Sequence, residues 1–127
     1  MRFWTVGRIV EFLSAGRWSG SLPESLRDRM AAMATVREYA PEEVIYLQGD
    51  AAFGFAAVLR GTVRITRSTA TGRETLLHIA QPGFWFGEIA VLLSGSTQVA
   101  ATARETALVL VVPAAPLQQL LREEPQH

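Results

Sequence analysis

Ala57-Val58-Leu59-Arg60-Gly61-Thr62-Val63-Arg64-Ile65-Thr66 is an apolar run, a glycine, and a second run in which Val63 and Ile65 alternate with Arg64 and Thr66. Alternation with a period of two belongs to a strand with one buried and one wet face. A glycine between two such runs marks a turn between antiparallel strands. The spacing therefore predicts a hairpin whose second strand turns Arg64 and Thr66 to water.

The same pattern continues in both directions. Upstream, Val44-Ile45-Tyr46-Leu47 runs into Gly49-Asp50; downstream, Gly72 precedes Thr75-Leu76-Leu77-His78-Ile79, and Pro82-Gly83 follows. Leu108-Val109-Leu110-Val111-Val112 is apolar at every position, which predicts the most buried strand. Short strands punctuated by glycines predict a mainly β chain: a double-sheet antiparallel β-roll, jelly-roll-like. Along 75–79, alternation places His78 on the face opposite Leu77 and Ile79.

Helical patterns flank the β region. Val6, Ile9, Val10 and Leu13 recur at helical spacing until Gly16. Ser21-Leu22-Pro23-Glu24 has the spacing of a reciprocal cap, with Leu22, Leu26, Met30 and Met33 lining one face of the helix that follows. At the other end, Pro116 begins a helix stub carrying Leu117, Leu120 and Leu121. The expected organisation is a helical segment over 1–17 and the roll over 18–127, with no DNA-binding domain in the chain.

Composition narrows the function classes. The 127 residues are 49% hydrophobic and 19% charged, the balance of a folded globule able to bury a core without staples. With no cysteine, disulfides, thiolate metal sites and a cysteine nucleophile are excluded. The 12 basic and 12 acidic residues cancel, unlike a surface built to grip DNA or anionic lipid. No apolar segment is long enough to cross a bilayer and no signal-peptide core forms, so the expected location is cytoplasmic.

Phe86-Gly87-Glu88-Ile89-Ala90-Val91-Leu92 interrupts the strands with about one helical turn. A glycine admits a ligand close to the backbone, and the N–H groups just after it suit an anion. Glu88 repels an anion and is better used to accept from a hydroxyl. Phosphate beside a free hydroxyl is the chemistry of a ribose cyclic phosphate.

At these residues the chain resembles the cyclic-nucleotide-binding domain of the Crp/Fnr regulators, kinase regulatory subunits and gated channels. The matching pieces stand in family order: Tyr46-Leu47-Gln48-Gly49-Asp50, Val58 to Ile65, Gly72-Arg73-Glu74, Pro82-Gly83 and Phe86 to Ala90. Trp18 followed by Leu22-Pro23 resembles the start of the bacterial regulator branch. The resemblance implies two packed sheets flanked by helices, with phosphate and ribose held in a cradle. By position, Gly87 and the amides of Glu88, Ile89 and Ala90 would face phosphate, and Glu88 would accept the ribose 2′-hydroxyl. Leu77 and His78 would line the base end of the pocket.

The sequence departs from the family at the clamp. Nucleotide-binding members carry an arginine nine or ten residues after the glutamate; here Thr97 and Gln98 stand there, with Val99 next. No arginine or lysine occurs between Glu88 and Ala103. The expected function is thus a ligand-sensing domain of Crp/Fnr type with a degenerate phosphate clamp. A genuine cAMP or cGMP sensor with a substitute cation is the alternative. A cupin-like metalloenzyme is a remote one, because a single interior histidine, His78, cannot build such a metal site. Expected partners are a small molecule, cyclic nucleotide or other, and a second protein chain. DNA and membrane are not expected, and the chain is expected to be a monomer or weak homodimer. No residue is assigned to catalysis or to metal.

Overall fold

The computed structural model describes residues 4–16, 19–51, 54–87 and 96–123. Two helices come first, α1 (Val6–Ala15) and α2 (Glu24–Met33), followed by β1 (Thr35–Tyr39), β2 (Val44–Tyr46), β3 (Gly54–Arg60), β4 (Val63–Ser68), β5 (Glu74–Ala80), β6 (Trp85–Phe86), β7 (Ala100–Ala103) and β8 (Ala107–Pro113). A last helix, α3, spans Ala114–Glu123, with Pro116 in its first turn. No described helix is long and apolar enough to cross a membrane.

The strands form two four-stranded antiparallel sheets, ordered β1-β8-β3-β6 and β2-β7-β4-β5. This is the β-roll expected from the glycine-punctuated runs. Strands β3 and β8 sit inside the first sheet and are apolar on both faces because each face covers a different core. Ala56, Val58, Val109 and Val111 point between the sheets with Tyr46, Val63, Ile65 and Phe86. Phe55, Ala57, Leu110 and Val112 face the helices and meet Ile9, Leu13, Leu26, Met30 and Leu117. Burying each such Val or Leu side chain is worth about 1.5–3 kcal/mol, so the helices are held mainly by this face.

Three local expectations are corrected. Ser21 and Glu24 form no reciprocal cap: Ser21 closes a 3-10 turn, and α2 starts directly behind Pro23 without a side-chain cap bond. The fixed φ of Pro23, −56°, sets the helix boundary and leaves the serine two residues upstream of the capping position. Val6 stands 55% exposed although it shares the helical spacing of Ile9 and Leu13, which alone on α1 are buried. Thr66 is buried rather than wet, since β4 is flanked by β7 and β5 and its neighbours Ala100 and Leu76 leave so short a side chain covered.

Arg64 does lean outward, but into a partner. Its guanidinium donates to both carboxylate oxygens of Glu42, at 2.7 and 2.8 Å. Glu42 lies in the β1–β2 turn at φ 68°, a conformation that non-glycine residues rarely adopt. Its N–H donates to the Ala103 carbonyl at 2.8 Å, so both ends of the residue are tied to the second sheet.

Candidate functional site

Two turns and a two-residue strand frame the site. Leu47 to Asp50 makes a tight turn with Gly49 at φ 92°; the Asp50 carboxylate accepts from the Leu47 N–H at 2.8 Å. This turn clasps the segment leading into β7. The Gly49 N–H donates to the Thr97 carbonyl, the Thr97 N–H to the Asp50 carbonyl, and the Thr97 hydroxyl to the Leu47 carbonyl at 2.7 Å. Thr97 is consequently buried, at 4% exposure, with its hydroxyl already engaged.

The second turn, Gln81 to Phe84, is zipped to β3: the Gly83 N–H donates to the Val58 carbonyl and the Val58 N–H to the Phe84 carbonyl. β6 follows directly and pairs with β3, Trp85 opposite Ala57 and Phe86 opposite Ala56. Its aromatic residues separate by face. Phe86 is buried between the sheets beside Tyr46, with ring centroids 6.2 Å apart. Trp85 lies against Phe55, at 4.6 Å, under the helices. Phe84, just before the strand, is exposed and stacks on His78 at 4.5 Å with a 38° tilt.

These elements enclose an open hollow of about 220 Å³ lined by Tyr46, Ile65, His78, Phe84, Trp85, Phe86, Gly87, Thr97, Gln98 and Val99. Of the residues singled out from the sequence, the structure brings Gly87, His78, Gln98 and Val99 together here. Glu88, Ile89 and Ala90 lie outside the described residues. Leu77 lines a different hollow, of about 440 Å³, with Gln48, Arg67, Ser68, Thr69, Ala70 and Thr75.

A β-bulge falls at Leu77, next to His78. Ile65 pairs with His78 and Thr66 with Leu76, leaving Leu77 as the extra residue on β5. Leu77, with Thr75, and His78 open onto different hollows, in keeping with the alternation expected along 75–79, and the bulge leaves Leu77 without a residue opposite it on β4.

Gly87 has φ 90°, and a Cβ there would collide with the Gly54 carbonyl oxygen. The position requires glycine on both counts. The polar equipment of the hollow is sparse. Gln98 is exposed, and its Nε2 makes only a long 3.5 Å bond to the Ser96 carbonyl. Burial pushes the Tyr46 hydroxyl up to about 12, so it stays a neutral phenol at physiological pH. Among the described lining residues none is an arginine or lysine. Arg64 is engaged with Glu42, and Arg67 belongs to the neighbouring hollow.

The sequence marked Thr97 only as a clamp position and singled out neither Tyr46 nor Ile65, Phe84, Trp85 or Phe86 for this lining. For the aromatics a usable signal was the period of two, which separates Phe84 and Phe86 from Trp85.

The family model described as cyclic nucleotide-binding domain matches residues 36–124. A Ruegeria pomeroyi protein named for cyclic nucleotide binding superposes with a TM-score of 0.87 at 27% identity, over 97% of this chain and 54% of its own. The catabolite activator protein of Thermus thermophilus does so with a TM-score of 0.72 at 28% identity, over 90% and 51%. The sensor domain of the transcriptional regulator DNR from Pseudomonas aeruginosa shares the fold, with a TM-score of 0.80 at 20% identity, over 98% of this chain and 83% of its own. The chain thus spans about half the length of the first two relatives. No curated protein matches the sequence significantly.

Proposed function

The chain belongs to the cyclic nucleotide-binding domain family, and from that premise we propose that it is the ligand-sensing part of a Crp/Fnr-type transcriptional regulator whose phosphate clamp has lost its cation. One observation carries the proposal: at the clamp positions Thr97 is tied to Leu47, and Gln98 offers the hollow an uncharged amide.

A charge-assisted hydrogen bond is worth about 1.5–3 kcal/mol against about 1 for a neutral one. Exchanging the first for the second weakens binding of a cyclic phosphate by roughly tenfold or more. Gly87 at φ 90° supports the reading of a cradle backbone, and the uncharged Thr97 and Gln98 support the reading that its charge complement is missing. A sensing rather than catalytic role accords with the family. The even balance of 12 basic and 12 acidic residues favours output through contact with another protein chain over a grip on DNA phosphates. A cytoplasmic regulator is the setting that fits these features.

The test is thermal stabilisation by cAMP and cGMP, measured on the unaltered protein and on Gln98→Arg. The unaltered protein should show little shift at micromolar ligand, and Gln98→Arg should gain a concentration-dependent rise in Tm. Tight binding by the unaltered protein would overturn the lost clamp and point to a substitute cation.

A further inference from the structure

We infer that the 220 Å³ hollow takes an uncharged, planar nitrogen heterocycle, gripped on its faces by aromatic rings and recognised along one edge by the Gln98 amide. The inference rests on the proposal that this hollow is the chain's ligand site, and it names the class of ligand that replaces a cyclic phosphate there.

The lining selects a flat guest. Tyr46, Phe84, Phe86 and His78 supply ring surfaces, and the His78–Phe84 pair, at 4.5 Å, is already a stacked platform. Such platforms hold any π-face without demanding a sequence of polar contacts. The volume, about 220 Å³, falls below the range of roughly 300–1,000 Å³ typical of pockets for drug-sized ligands. One or two fused rings fit that space better than a base, sugar and phosphate together.

The lining also selects against charge. A desolvated anion or cation needs a partner of opposite sign, and the described lining residues include no aspartate, glutamate, lysine or arginine, only the ionisable side chains of His78 and of Tyr46, whose phenol stays neutral. The nearest cation by strand position, Arg64 beside Ile65 on β4, is engaged by Glu42, and Arg67, two residues beyond Ile65 and so about 7 Å along the strand, lines the neighbouring hollow.

Gln98 supplies the specificity. Its side chain is exposed and held only by a 3.5 Å bond, so it can turn to a guest at little cost. A primary amide carries a donor and an acceptor side by side and pairs bidentately with a ring edge that presents the complementary pair, as adenine does to glutamine. His78, also on the lining, offers a further donor or acceptor.

Isothermal titration with adenine and quinazolin-4-one, two neutral heterocycles with such an edge, tests the inference against 2-naphthoate, an anion of similar shape without one. Both heterocycles should bind with an affinity unchanged by added salt. Gln98→Leu should weaken both by about tenfold while the Tm of the unliganded protein holds. Amide and ring NMR signals of His78 and Phe84 should shift on binding. Silence of both heterocycles, or binding of 2-naphthoate that outcompetes them and is lost in Arg67→Gln, would overturn the inference. Heterocycle silence combined with cAMP binding gained by Gln98→Arg defeats this inference alone. Tight cAMP binding by the unaltered protein defeats the reading beneath it.

Discussion

Gly87 lies so close to Gly54 that a single added carbon on Gly87 would strike the Gly54 carbonyl oxygen. Gly54 is itself buried, and a Cβ on it would press on the Val112 carbonyl at 2.5 Å. Two backbones meet here without side chains between them, and the mouth of the hollow depends on that approach. Gly87→Ala combines the cost of a positive φ with a backbone clash. It should destabilise the fold by about 1–3 kcal/mol, read as a lower denaturant midpoint at unchanged slope.

The clasp between the Leu47–Asp50 turn and Thr97 gives a second expectation. Thr97→Val keeps the shape but removes the donor to the Leu47 carbonyl, which the hydroxyl reaches at 2.7 Å. The Leu47 carbonyl keeps the Asp50 N–H at 3.1 Å, so losing this one hydrogen bond should cost about 0.5–1.5 kcal/mol. Hydrogen exchange should rise at the amides of Gly49 and Thr97, whose bonds close the same clasp.

The Glu42–Arg64 pair makes an acid-side prediction. The Arg64 hydrogen bonds hold the Glu42 carboxyl below its ordinary range. A carboxyl whose folded pKa is depressed contributes stability above its unfolded pKa and loses it as pH falls through the folded value. The Tm difference between the unaltered protein and Glu42→Gln should therefore be steady near neutral pH and close below about pH 4. The pair is exposed on the Glu42 side, so added salt should narrow the difference too.

Tyrosine ionisation makes the opposite, alkaline prediction. Burial raises Tyr46 to about 12 and raises Tyr39 as well, chiefly by desolvation. A folded pKa above the unfolded one contributes stability that is complete below the unfolded value and vanishes as pH rises through the folded value. The near-ultraviolet phenolate signal of Tyr46 should thus lag behind that of free tyrosine, and stability should fall as pH climbs from about 10 towards 12. Phenolate appearing at pH 10 with the fold intact would place Tyr46 in water.

The roll itself was legible because its signals are local. Glycines at 49, 61, 72, 83 and 87 all take positive φ, and the doubly apolar run 108–112 became a strand between two cores. Strands β1 and β7 were not, since Thr35–Tyr39 and Ala100–Ala103 mix polar and apolar residues without a turn signal of their own. The site was legible in outline, through Gly87 and the missing arginine at 97–98. Its lining was less so: a bulge that inserts Leu77 is a property of two strands in register, and Arg64 meets Glu42 across 22 residues of chain. Likewise, Thr97 could be recognised as spent only once its hydroxyl was found on Leu47.

The shortest strand has the widest reach. Phe86 belongs to the inter-sheet core and forms one wall of the hollow, while the adjacent Trp85 belongs to the helical layer, where it meets Phe12 of α1 at 6.3 Å. Trp85 and Phe86 are consecutive residues of one two-residue strand, so a shift of its backbone moves both side chains. A guest that moved this strand by way of Phe86 would carry Trp85 with it, and through Phe12 the N-terminal helix would feel the change.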